Sequence, residues 1–132
     1  MTACTLRHED LQHFTGDTTR FRHPHNPSVI YTPGVQCLAE RGKAYWLIDA
    51  IASYFGTPLM NQAIAKDSRL AYCQFWRLTV TDSIGVLIAE ADRGEEPFIS
   101  QVIEFTDFPL DEVDIWAGFD GTCWTLYLPS EH

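Results

Sequence analysis

At Leu70 the hydrophobic pattern of this chain changes period, and that change restricts its folds more than any other feature. Before it, apolar residues recur at helical spacing. After it they alternate, in runs rich in β-branched and aromatic side chains, over Tyr72–Thr81, Ile84–Ala91, Phe98–Phe105, Val113–Phe119 and Thr122–Leu128. The connections are short: Asp82-Ser83, the Asp92–Pro97 loop, Asp107–Glu112, and Asp120-Gly121, which reads as a two-residue hairpin turn. Successive strands on short turns predict an antiparallel β-meander of about five strands. The expected class is therefore α+β, with N-terminal helices packed on one face of a C-terminal sheet. One domain spans residues 1–132, mainly helical over 1–70 and sheet over 71–132.

The helical half punctuates itself. A short amphipathic segment over Glu9–Phe14 ends at the turn-forming Thr15–Thr19. The prolines of Arg20-Phe21-Arg22-His23-Pro24-His25-Asn26-Pro27 bias their predecessors toward extended backbone, which predicts a loop or irregular edge segment. Val29-Ile30-Tyr31 reads as a brief extended piece. Thr32 then serves as N-cap and Pro33 as first helical residue of a helix ending near Gly42. Ala44, Leu47, Ile48, Ile51 and Phe55 predict a central, largely buried helix stopped by Gly56. Thr57-Pro58 opens the next helix, which ends around Asp67.

With 132 residues, 45% of them hydrophobic and 13% aromatic, the chain can bury a core without metal or disulfide staples. Its net charge of −9 is unevenly distributed. Residues 1–43 hold five basic and four acidic residues and residues 44–81 three and two, whereas residues 82–132 hold one and twelve, a local −11. That half would be repelled by nucleic-acid phosphate and by anionic lipid, so neither is an expected partner. A basic protein is.

Acidic residues precede any apolar run at the N-terminus, which argues against a signal peptide, and Ala44–Phe55 is too short to span a bilayer. A cytoplasmic protein is expected. Cys4, Cys37, Cys73 and Cys123 are scattered without a Cys-x-x-Cys pair and are expected to be reduced, the last three as small core residues.

The second strand is apolar on both sides, since Ile84, Val86 and Ile88 point one way and Leu87 and Ala89 the other. One helical layer covers only one face. Trp76, Trp116 and Trp124 join Ile84, Val86 and Ile88 as candidate interface residues, either in a homodimer or under a sheet that curls over its own core.

Chemistry-bearing groups are few. His23-x-His25 looks metal-like, but side chains two apart on extended backbone diverge and no further ligands follow at finger-like spacing, so no metal or other cofactor is expected. Asp49 is the only formal charge between Ala44 and Phe55. Held on a buried helix it would need a partner, and Arg20, Arg22 and His23 lie in a loop that needs tying down, which favours a structural anchor over catalytic use. Glu90, Glu104 and Asp114 lie within expected strands and could form an acidic face. There is no Gly-x-Ser-x-Gly, phosphate loop or His-Glu-x-x-His.

Several stretches together resemble a family of small bacterial proteins known as a domain of unknown function. They are Phe14-Thr15-Gly16, Tyr31-Thr32-Pro33-Gly34-Val35 with Leu38-Ala39-Glu40, Ala44-Tyr45-Trp46-Leu47-Ile48-Asp49-Ala50-Ile51-Ala52-Ser53, Thr106-Asp107-Phe108-Pro109-Leu110 and Leu128-Pro129-Ser130-Glu131. The resemblance implies a single-domain fold and transfers no activity. In the Thr-Asp-Phe-Pro-Leu element, Phe108 and Leu110 are expected to seal the end of the sheet. Two readings follow. The first is a non-enzymatic acidic binding or accessory protein that self-associates and acts by protein contact. The second is a small-molecule binder or enzyme with a pocket between the central helix and the Arg20–Asn26 loop, where Asp49, His23, His25 and Tyr31 supply polar groups.

Overall fold

A computed structural model describes residues 6–12 and 19–131. Its helices are α1 (His8–Gln12), α2 (Pro33–Arg41), α3 (Tyr45–Tyr54) and α4 (Pro58–Lys66). Its strands are β1 (Phe21–Arg22), β2 (Val29–Tyr31), β3 (Cys73–Thr81), β4 (Ile84–Glu90), β5 (Ile99–Ile103), β6 (Glu112–Phe119) and β7 (Trp124–Tyr127). The protein is α+β. The C-terminal end of the first expected helix and its turn fall largely outside the described residues.

The capping chemistry places α2 and α4. Thr32 accepts a hydrogen bond from the Val35 amide and Thr57 one from the Met60 amide, each followed by proline at the first helical position. The helix α3 ends before Gly56, whose φ of +89° a residue with a Cβ adopts only with strain. This helix is less enclosed than its composition predicts. Leu47, Ile48, Ile51 and Ala52 are buried, but Tyr45, Asp49 and Ser53, spaced by four, form an exposed stripe.

The expected sequential meander of five strands is corrected to a mixed sheet of seven in the order β1-β2-β7-β6-β3-β4-β5. The strands β3, β4 and β5 do form an antiparallel run, and β6 and β7 form a hairpin. But β6 pairs with β3 rather than with β5, and β7 pairs in parallel with β2. The connection after β5 is a crossing, not a turn. Thr106 donates its amide to the Ser83 carbonyl at the β3–β4 turn, and Val80 donates to the Asp111 carbonyl, so the segment passes across the end of that hairpin. Phe108 and Leu110 on it are buried at 5% and 6% exposure and close the sheet end.

The hairpin between β6 and β7 is also longer than Asp120-Gly121. Phe119 pairs with Trp124, and the intervening four residues are held by Asp120, which accepts hydrogen bonds from the Thr122 and Cys123 amides.

Alternation assigns each strand residue to one face. Val29, Tyr31, Leu126, Ala117, Ile115, Trp76, Leu78, Leu87 and Ala89 join Val35, Leu38, Leu47, Ile51 and Met60 of the helices in one buried cluster. Two of the three tryptophans named as candidates for the outer face belong here instead. Trp76 at 1% and Trp124 at 8% exposure face the helices, because Trp76 is in register with Ile115 and Ala89, and Trp124 with Val29. Within the core, the Trp76 indole donates to Gln74, whose amide in turn donates to the Leu70 carbonyl.

Candidate functional site

The other face of the sheet carries no helix among the described residues. Across it run Tyr127, Trp116, Phe75 and Glu90 in one register row, then Asp114, Arg77, Ile88 and Ser100, then Glu112, Thr79, Val86 and Val102. Trp116 meets Phe75 edge-on at a centroid distance of 5.2 Å and Tyr127 edge-on at 6.2 Å. The remainder is mixed: the aliphatic Ile84, Val86, Ile88 and Val102, of which Ile84 is 48% and Val102 62% exposed, beside the polar Thr79, Ser100, Glu90 and Glu112. Ion pairs cross it from Arg77 Nε to Asp114 Oδ1 at 2.8 Å and to Glu112 Oε1 at 3.8 Å, and Arg93 approaches Asp114 at 3.7 Å. Burial pushes the Tyr127 hydroxyl up to about 12, with Cys73 beside it adding to the shift. Ile84, Val86, Ile88 and Trp116 therefore share one face with Tyr127, and Phe75 is a member that its sequence context did not single out. Glu90 and Asp114 lie on this face as well, whereas Glu104 falls beyond the end of β5.

Of the polar groups expected around Asp49, His23 meets it directly, while Arg20, Arg22 and His25 lie outside the contact. His23 is 5% exposed and its Nε2 lies 2.7 Å from Asp49 Oδ1, while Asp49 keeps 60% of its side chain in solvent. The buried partner is the imidazole, not the carboxylate. His23 Nδ1 accepts from the amides of His25 at 3.1 Å and Asn26 at 3.0 Å, so its proton resides on Nε2 and is donated to Asp49. Both nitrogens are committed, and a general base needs one free. Asn26 extends the anchor by donating to the carbonyls of Ala52 and Phe55 at the end of α3. His25 is exposed with its ring 5.9 Å from that of His23, and Arg22 turns outward to the Pro27 carbonyl. Arg20 is exposed and reaches the Thr19 carbonyl.

Tyr31 stacks on Phe21 at 5.6 Å, and burial, with Asp49 and Glu40 nearby, raises its hydroxyl above the ordinary value. Beside it the Tyr45 hydroxyl donates to Glu40 at 2.6 Å, which pushes Tyr45 up to about 12. Among the described residues no three His, Cys, Asp or Glu side chains come together as a metal set. Clefts of about 290, 330 and 390 Å³ lie elsewhere: between α1 and the C-terminal Pro129, between α4 and Phe98, and between Trp46 and Phe105.

A further junction escaped the sequence reading. Glu131 Oε1 accepts from the Thr32 hydroxyl at 2.6 Å and the Leu128 amide at 2.9 Å, and its Oε2 lies 3.3 Å from the Gly34 amide. A carboxylate from the C-terminus thus sits on the N-terminus of α2, where the exposed amides and the helix dipole favour negative charge. A Cβ on Gly34 would lie 2.5 Å from Glu131 Oε1 and 2.8 Å from Leu128 Cδ1, so only glycine permits the approach. The Tyr-Thr-Pro-Gly and Leu-Pro-Ser-Glu stretches, about a hundred residues apart, are two halves of one joint.

A family model described as a family of unknown function, DUF6876, matches residues 5–132. The chain belongs to that family. No curated protein and no solved structure is similar to it. The family's description carries no activity to this chain. No helix among the described residues is long and apolar enough to cross a membrane.

Proposed function

We propose that this DUF6876 protein is a non-enzymatic contact protein that self-associates through the helix-free face of its sheet and meets further protein partners through the acidic rim around it. The observation that carries the reading is that face itself. Phe75, Trp116, Tyr127, Ile88, Val86 and Val102 supply its apolar part, crossed by Arg77 and Asp114 and interleaved with Thr79, Ser100, Glu90 and Glu112. Two copies related by a twofold axis would each offer the same face, and the exchangeable charges of Arg77 and Asp114 would fix its register.

The loops at the rim contribute most of the −11 of residues 82–132, which favours a basic partner and disfavours nucleic acid. His23 counts against the rival reading, since Asp49 holds its Nε2 and the His25 and Asn26 amides hold its Nδ1, which leaves neither ring nitrogen for a ligand.

Light scattering tests the self-association. At tens of micromolar the chain is expected at twice its 15.0 kDa mass, and Ile88→Lys or Trp116→Glu at the single-chain mass with an unchanged circular dichroism spectrum. A 15.0 kDa particle for the unaltered chain would sink the dimer.

A further inference from the structure

The two ends of the sheet are unlike. At one end β1 is two residues long, and Pro24 and Pro27 follow it closely, so it offers almost no free ladder. At the other, β5 runs for five residues, pairs among the described residues only with β4, and from Phe98 to Phe105 contains no proline, lysine or arginine. Sheet edges in folded proteins are ordinarily shortened, charged, bent or covered, because a bare row of N–H and C=O groups recruits another strand. Here Glu104, just past the strand, is the one charge.

The outward side chains add to the invitation. Val102 is 62% and Phe105 74% exposed, and a groove of about 390 Å³ opens beside the strand's end between Lys43 and Trp46 on the helical side and Ile103, Phe105, Thr106 and Asp107 on the other. The charge around it is mainly acidic. Glu104 and Asp107, after the strand, form no ion pair among the described residues and face Lys43, whereas Glu96, before the strand, lines a separate cleft that also holds Lys66.

We propose that β5 is a docking edge for an extended, lysine- or arginine-bearing segment of another protein, which adds an eighth strand to the sheet. Its main chain would pair with Ile99–Ile103, alternate apolar side chains would enter the Trp46–Phe105 groove, and its cations would lie against Glu104 and Asp107. The same charges decide against a second copy of this chain on that edge, which would bring two acidic sheet halves together without cations to offset them. The site shares Val102 with the open face but rests on the main-chain edge of β5 and the groove at its end, so it stands whether or not the protein dimerises through that face.

The probe is a fluorescently labelled eight-residue peptide alternating lysine with valine or phenylalanine. Three relatives accompany it: one with glutamate for lysine, one with the same composition scrambled, and one N-methylated at alternate residues. Fluorescence anisotropy is expected to show saturable binding of the alternating lysine peptide. The glutamate peptide is expected to bind at least about tenfold more weakly, since each lost attraction becomes a repulsion. The N-methylated peptide is expected not to bind, since its donors are blocked. Hydrogen exchange should slow at the amides of Ile99–Ile103, and Phe105→Ser, at an exposed position, should weaken binding while leaving the thermal midpoint in place.

Equal binding of the N-methylated or glutamate peptide would overturn the proposal. So would protection confined to the Phe75–Trp116 face, or a dimer that Val102→Lys abolishes and Trp116→Glu spares, which would place a second copy on the edge.

Discussion

Removing the Glu131 carboxylate should loosen the junction between the two ends of the chain, and the cost can be worked from its contacts. Glu131 Oε1 accepts two short hydrogen bonds, from Thr32 Oγ1 at 2.6 Å and from the Leu128 amide at 2.9 Å, and Oε2 a longer one from the Gly34 amide at 3.3 Å. Hydrogen bonds to a charged acceptor contribute about 1.5–3 kcal/mol when buried, and about 1 kcal/mol each is a fair figure for this half-buried carboxylate. Its position on the N-terminus of α2 adds about 0.5 kcal/mol. Glu131→Ala should therefore destabilise the fold by roughly 2–3 kcal/mol. For a chain of this length that is a fall of roughly 8–12 °C in melting temperature.

Glu131→Gln keeps the shape and one acceptor but presents an amide donor toward Gly34, so about 1 kcal/mol is expected. Thr32→Ala should cost about as much as a lost helix cap, about 1 kcal/mol, plus its bond to Glu131. The decisive assay is urea unfolding of the two single variants and their combination. The double variant should be more stable than the sum of the singles by about 1 kcal/mol, because both remove the same 2.6 Å bond. Additive losses, or a Glu131→Ala cost below about 0.5 kcal/mol, would refute the clamp.

Three further perturbations test local claims. His23→Ala leaves two backbone amides and Asp49 without their partner in a buried site and should cost roughly 2–4 kcal/mol, whereas Asp49→Ala, at an exposed carboxylate, should cost less than about 1 kcal/mol in the same urea titration. The β3–β4 turn places Asp82 and Ser83 at φ of +51° and +64°, so Ser83→Gly should raise stability by about 0.5–1 kcal/mol, read as a shifted urea midpoint at unchanged slope. The Cys123 and Thr122 amides hold the Asp120 carboxyl below the ordinary range, so its stabilisation is complete above the unfolded value of about 3.9 and is lost as pH falls through the lower folded value. The melting-temperature gap between the unaltered chain and Asp120→Ala should accordingly persist down to about pH 4 and close below it.

Local signals made most of the elements legible. Thr32-Pro33 and Thr57-Pro58 begin α2 and α4, and the five long runs of alternating residues are all strands. Strand order was not legible, because hairpin logic assumes that sequence neighbours pair, and it fails where a connection has work of its own to do. The segment from Glu104 to Asp111 bonds back to Ser83 and Val80 and buries Phe108 and Leu110, which carries the chain past two strands before β6 begins. The short β1 and β2 gave only weak signals for the same reason that they exist. The strand β2 owes its parallel pairing to β7, about a hundred residues later, and β1 in turn pairs with β2.

The candidate anchor was legible in its members and not in its energetics. A lone aspartate among apolar residues suggested a buried charge, yet the i, i+4, i+8 stripe of Tyr45, Asp49 and Ser53 keeps it in solvent and leaves the imidazole as the enclosed group.

The described stretches that carry the family resemblance are accounted for by scaffold: a capped helix start and its C-terminal clamp, the core face of α3, and the plug at the sheet end. By contrast, the open face proposed for self-association consists of every second residue of β3, β4, β5, β6 and β7. A contiguous motif cannot display such a surface, since half of each strand belongs to the core and obeys its demands. In Phe75-Trp76-Arg77-Leu78 the tryptophan and leucine are packing while the phenylalanine and arginine face outward, and only the register with Ile115 and Ala89 separates them. For this fold, therefore, functional positions follow from register first and residue type second, and substitutions chosen by residue type alone would strike the core at Trp76 as readily as the contact face at Trp116.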